Sequence, residues 1–189
     1  MKILLVAGHS SRSILNPFPD QGAVLREQGK LITTENREAK TIVSRASVIL
    51  NEKYGDDRVR VCPFRYNLRQ KIKWANKFTP YDILISLHLN ASNDRTVEGS
   101  EIWYYGGSPN SEELAMDLAE KQSKVLRNRN RGAKPDTNNR HGRLGIIRDT
   151  KPWAFLTEMA FISNTKDLAK ARNHGTEALI RLVDTIKRY

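Results

Sequence analysis

Apolar and polar positions divide the chain into short buried runs and amphipathic stretches. Residues 2–7 form a compact apolar run closed by Gly8, which predicts a strand covered on both faces. A polar loop with Asn16, Pro17, Pro19 and Asp20 follows. Ala39, Ile42, Val43, Ala46, Ile49 and Leu50 then recur at spacings of three and four, the stripe of a helix against a core. Residues 58–62 alternate as a strand, 68–77 read as a helix, and 83–87 are a second strongly apolar strand within DILISLHLN. Residues 100–105 read as a β-branched and aromatic strand. Ser108 and Pro109 open a helix carrying Leu114, Leu118 and Val125, with Glu112 and Glu113 near its positive end. The segment RNRNRGAKPDTNNRHGR, residues 127–143, lacks apolar anchors and reads as a mobile loop. A strand pair at 145–148 and 154–157 and a terminal helix over 176–187 complete the pattern, the helix packing Ala178, Leu179, Leu182, Val183 and Ile186. Strands alternating with helices imply right-handed crossovers. The expected fold is a single α/β domain, with a twisted, mostly parallel central sheet of about six strands and helices on both faces.

The length of 189 residues and a hydrophobic content of 39% suit one core. A net charge of +11 predicts attraction to polyanions and leaves the fold open. With Cys62 the single cysteine, no intrachain disulfide can form. The opening MKILLVAGH has too short an apolar run for a secretory signal, and no stretch approaches the ~18 apolar residues of a membrane span. The expectation is synthesis in the cytoplasm, without integral membrane contact, and export or release by outside help.

Three metal-competent side chains end predicted strands: His9 after KILLVAG, His88 in DILISLHLN and Glu158 in WAFLTE. In open α/β sheets, ligands bind beyond the carboxyl ends of the strands. A lone histidine is more often a hydrogen-bonded structural residue than a ligand. Here two of four histidines occupy equivalent strand ends, whereas His141 and His174 sit in polar surroundings and read as solvated. Two imidazoles and one carboxylate with an open fourth position make a catalytic zinc arrangement. The carboxylate could come from Asp20, Glu35, Glu38 or Glu158. On a helical wheel Glu35 lies within roughly 20° of the centre of the apolar stripe and Glu38 roughly 80° away. A carboxylate on an inward face is costly unless paired or metal-bound. The competing role for Glu35 is a first-turn glutamate favoured by the helix dipole.

VAGHSS with DQGAV, ILISLHLNAS, EGSEIWYY, NRGAKPD with LGIIRD, and FLTEMAFISN together resemble, in order and spacing, the zinc-dependent N-acetylmuramoyl-L-alanine amidases that cleave peptidoglycan. The resemblance implies a phosphorylase/hydrolase-like fold and one catalytic Zn2+ held by His9, Glu35 and His88, with Glu158 as general base and acid. It also implies a site-lining Arg148 that could hold a substrate carboxylate. Asn90 would orient a ligand or substrate amide, or cap the turn. The segment between His9 and Asp20 is longer and richer in Pro and Ser than the family's glycine-rich form, and the alignment at TTENRE leaves Glu38 open as the ligand. The implied partner is peptidoglycan, with electrostatic attraction to anionic envelope polymers, for a monomeric lytic enzyme of the endolysin or autolysin type. A zinc carboxypeptidase or deacetylase is the enzymatic alternative, since a metal constellation does not name its substrate. The other alternative is a non-enzymatic basic module. Nucleic acid is not expected, because RNRNRG carries no stacking residue among its arginines. Ser10 and Ser11 do not sit in a G-x-S-x-G elbow, which argues against a serine hydrolase.

Overall fold

The computed structural model describes residues 2–11, 20–55, 58–77, 82–139 and 142–189; Asn16, Pro17, Pro19 and His141 lie outside them. In chain order the elements are β1 (Ile3–Ala7), β2 (Val24–Glu27), β3 (Lys30–Thr34), α1 (Glu35–Tyr54), β4 (Val59–Val61), α2 (Leu68–Lys77) and β5 (Ile83–Asn90). There follow β6 (Ser100–Tyr104), α3 (Pro109–Leu126), β7 (Asn130–Pro135), a short 3-10 turn (Asp136–Asn138), α4 (Gly145–Arg148), β8 (Trp153–Phe161) and α5 (Thr165–Ile186). Six strands form one sheet in the order β4-β1-β5-β8-β6-β7. The first four run parallel; β6 is antiparallel to β8, and β7 is parallel to β6.

Alternation along the central strands divides the core between two faces. Ile3, Leu5, Ala7, Ile83, Ile85 and Leu87 pack with α1, α3 and α5, while Leu4, Val6, Leu84 and Leu156 pack with α2 and α4. Both faces are covered, so β1 reads as an unbroken apolar run and all five of its residues are buried. Local chemistry sets the helix starts. Thr34 caps α1 by accepting from Arg37 N, Ser108 caps α3 ahead of Pro109, and Asn164 caps α5 by accepting from Lys166 N and Asp167 N.

Three expectations are corrected, and one pair of strands was not foreseen. The residues expected to form a mobile loop contain β7, an edge strand held by its ladder to β6 and not by apolar burial. The apolar GIIR is a helical turn, α4, and not a strand; it buries Ile146 and Ile147 against the α2 face. Helix α5 begins at Thr165, eleven residues before the expected start. Gly175 lies inside it, where α1 comes too close for a side chain: a Cβ there would stand 2.8 Å from Ile42 Cδ1. The hairpin β2–β3 had no periodic signature, since most of its residues are exposed.

Candidate metal centre

The chain leaves β1 through a tight turn. Gly8 N still donates to Leu87 O at 2.7 Å, and His9 then takes a left-handed backbone with φ 57°. That conformation costs a non-glycine residue about 1 kcal/mol or more, so the surroundings must hold it. Ser10 N donates to Asp20 O, Asn36 Nδ2 to Gly8 O, and Lys71 Nζ to Ala7 O and His9 O. Two glycines allow the close approach. A Cβ on Gly8 would stand 2.6 Å from His88 Nδ1, and one on Gly22 would collide with Glu35 Oε2 and the His9 ring.

Glu35, the first residue of α1, is 4% exposed and stands between the imidazoles. Its Oε1 accepts from His88 Nδ1 at 2.9 Å and from Leu89 N at 3.2 Å. Its Oε2 accepts from Ala23 N at 2.9 Å and lies 3.1 Å from His9 Nε2. The rings of His9 and His88 meet edge to face with centroids 5.1 Å apart. One donor atom from each of His9, Glu35 and His88 lies within 4.8 Å of the others. On the far side of His9, Asp20 Oδ2 is 2.8 Å from Nδ1, at ion-pair distance although not aligned as a hydrogen bond.

The charges are strongly perturbed. Burial alone would raise the pKa of Glu35, but hydrogen bonds from His88 and His9 outweigh it and hold the carboxyl far below its usual range. Burial likewise opposes protonation of His9, yet contacts with Glu35 and Asp20 raise its pKa; His88 is lowered, chiefly by burial. Glu158, the register partner of His88 on β8, has a pKa pushed well up by burial and then by the charges of Glu35 and Glu101, with Lys134 partly offsetting. Its Oε2 is buried and has no hydrogen-bond partner.

This donor set fits a divalent transition metal. Two imidazoles and a carboxylate are the ligands zinc takes in open catalytic sites, and an unpartnered buried carboxylate oxygen in the same groove is otherwise costly. Asp20 beside Nδ1 places an outer carboxylate next to a candidate ligating histidine.

Glu38 does not join the cluster. It accepts from Thr33 Oγ1 and from both sides of the Arg172 fork, and of the two glutamates in TTENRE only Glu35 brings a carboxylate oxygen to the histidines. Asn90 lines the groove, but its side chain accepts from Ala91 N and donates to Glu101 Oε1, combining the turn role with a contact to the site wall. Arg148 stands apart from the cluster. Its fork is closed on buried Asp136 and its guanidinium lies 5.1 Å from the Tyr105 ring centre, and it lines neither depression at the site. His174 lies apart, in a groove lined by residues of α3 and α5.

Sequence reasoning missed Glu101, which is 2% exposed, pairs in register with Glu158 and is bound by Arg131 and Lys134. A glutamate at an inward position of EGSEIWYY was the available signal. Lys71 and Asn36 were missed too, because polar groups that bind main-chain carbonyls leave no spacing pattern.

The N-acetylmuramoyl-L-alanine amidase family matches residues 3–182. A germination-specific N-acetylmuramoyl-L-alanine amidase of Bacillus subtilis is 27% identical over 143 residues, 76% of this chain and 54% of that protein. The amidase LytC of the same organism is 30% identical over 110 residues, 57% of this chain and 21% of LytC. The chain thus spans about half the length, or less, of these relatives. Among solved structures, the catalytic domain of an endolysin targeting Clostridium difficile is 29% identical with a TM-score of 0.70, covering 100% of this chain and 97% of that one. The catalytic domain of the amidase CwlV from Paenibacillus polymyxa, 20% identical with a TM-score of 0.76 over 100% and 99% of the two chains, shares the fold. With the family match running from the first buried strand into the last turns of α5, the chain belongs to the N-acetylmuramoyl-L-alanine amidases.

Proposed function

We propose that the chain hydrolyses the amide joining the lactyl carbonyl of N-acetylmuramic acid to L-alanine in peptidoglycan. In this reading His9, Glu35 and His88 hold one catalytic zinc and Glu158 carries the proton. The observation that supports it most is the convergence of the three donor atoms within 4.8 Å beside a buried, unpartnered Glu158 Oε2. When bound, zinc supplies Lewis acidity, polarising a carbonyl and acidifying water.

The remaining steps belong to the chain. Glu158 takes a proton from the attacking water and returns it to the departing alanine nitrogen, so the C–N bond breaks with the amine leaving neutral, a role worth ~10²–10⁴-fold. A raised carboxyl pKa suits a group that must both accept and give back that proton. Lys134, held by Glu101, partly offsets the negative charge around Glu158. Asp20 holds Nδ1 of His9 so that Nε2 faces Glu35.

Residues 1–189 form one catalytic domain in this proposal, acting as a monomer on the cell wall after release or assisted export. Its charge of +11 favours the anionic envelope. No helix among the described residues is long and apolar enough to cross a membrane.

The test is a digest of purified peptidoglycan, read by mass spectrometry with and without chelator. The proposal expects peptide-free glycan and new alanine amino termini, both lost on chelation. Release of terminal D-alanine would indicate a carboxypeptidase, acetate a deacetylase, and wall binding without cleavage the basic module.

A further inference from the structure

Lys71 lies on α2, far in sequence from the strand it serves, and is 4% exposed. Burial draws its pKa down to about 8. Its ammonium binds main-chain oxygens: Nζ donates to Ala7 O at 2.7 Å and to His9 O. Those two carbonyls flank Gly8, whose own carbonyl is taken by Asn36. Side chains from two helices thus bind three successive carbonyls of the turn.

The lysine contact depends on the turn's shape. In an extended strand, carbonyls two residues apart point the same way and stand about 6.6 Å apart. One nitrogen with hydrogen bonds of about 2.8 Å spans at most about 5.6 Å. A single ammonium therefore reaches both oxygens only where the chain contracts, as it does at His9 with φ 57°. Straightening the turn would break one bond and leave a buried cation short of acceptors.

We propose that Lys71 is a positioning residue of the metal site, its ammonium selecting the left-handed turn that aims His9 at Glu35 and His88. The inference rests on the reading of those three residues as zinc ligands. A competing effect has the opposite sign, because a buried cation this near the site repels a dication, so removing it would tighten zinc binding on charge alone.

The experiment measures zinc affinity of the full chain by competition with a chromogenic chelator, alongside the melting midpoint of the metal-free form. Lys71→Met should keep the metal-free fold and midpoint yet bind zinc ~10–100-fold more weakly, the usual cost of losing an outer support. Lys71→Arg, which keeps N–H donors on a long arm, should remain within about threefold of wild type. A methionine variant that binds zinc as tightly as wild type or tighter overturns the proposal, as does an arginine variant that loses as much as methionine. Should Lys71→Met not fold, Lys71→Gln takes its place, with a donor for one carbonyl; an intermediate loss is expected, and unchanged affinity overturns the proposal. If wild type binds no zinc, or His9→Ala leaves affinity unchanged, the zinc reading falls and Lys71's role with it. Failure at Lys71 alone leaves the zinc reading standing.

Discussion

Gly8→Ala tests how tightly the two histidine strands are built against each other. Gly8 is not among the positive-φ glycines, so alanine fits its backbone, and the whole effect must pass through the side chain. The new Cβ would stand 2.6 Å from His88 Cε1 and Nδ1 and 2.8 Å from Cγ. Ordinary carbon contacts begin near ~3.5 Å, so ring and methyl must separate by roughly 0.9 Å. His88 cannot simply swing aside, since Nδ1 is bonded to Glu35 at 2.9 Å and Leu87 O holds Gly8 N at 2.7 Å. Metal–ligand distances tolerate only about ±0.2 Å, several times less than the forced shift. We expect zinc affinity to fall by about 100-fold or more, turnover to fall with it, and the metal-free protein to lose about 1–3 kcal/mol from overpacking. Chelator competition and urea unfolding measure the two effects separately. Wild-type zinc affinity in a folded Gly8→Ala protein would refute the argument that the ring is fixed by its neighbours.

Glu158→Gln is expected to keep zinc and lose ~10²–10⁴-fold in turnover. Because its folded pKa is raised, the metal-free wild type has its full stability below the ordinary glutamate value near 4.5 and loses some as pH rises, so the glutamine variant should melt higher at pH 7 and not near pH 4. An equal gap at both pH values would contradict that sign. Glu38 behaves oppositely: burial opposes ionisation, but Arg172 and Thr33 outweigh it and lower the folded pKa, giving stability that is present above about 4.5 and lost as pH falls. Glu38→Gln should cost about 1 kcal/mol at pH 7, discounted because Arg172 is half exposed, and leave zinc affinity unchanged; weakened zinc binding would reopen Glu38 as a ligand.

The sequence made the central sheet legible because strands buried on both faces must be apolar throughout, and β1 and β5 have no alternative reading. Helix α2 matched its expected bounds through its clear amphipathic spacing. Periodicity failed where other forces set the structure. Ladder hydrogen bonds hold β7, a close helix approach explains Gly175, and the four-residue run at 145–148 is too short to separate strand from helix. At the site, His9, His88 and Glu158 were visible because strand ends converge. That Arg172 draws Glu38 away from the histidines was not visible in spacing, nor was the pairing of Arg148 with Asp136, which lay in a segment expected to be loop.

An anomalous difference map at the zinc edge, from crystals of the zinc-loaded protein, puts the account to its hardest trial. One peak should lie about 2.0–2.2 Å from a nitrogen of His9, an oxygen of Glu35 and a nitrogen of His88, with Glu158 facing it and unbonded. No peak there, or a peak bound by Glu158 or Glu38 in place of Glu35, would contradict it.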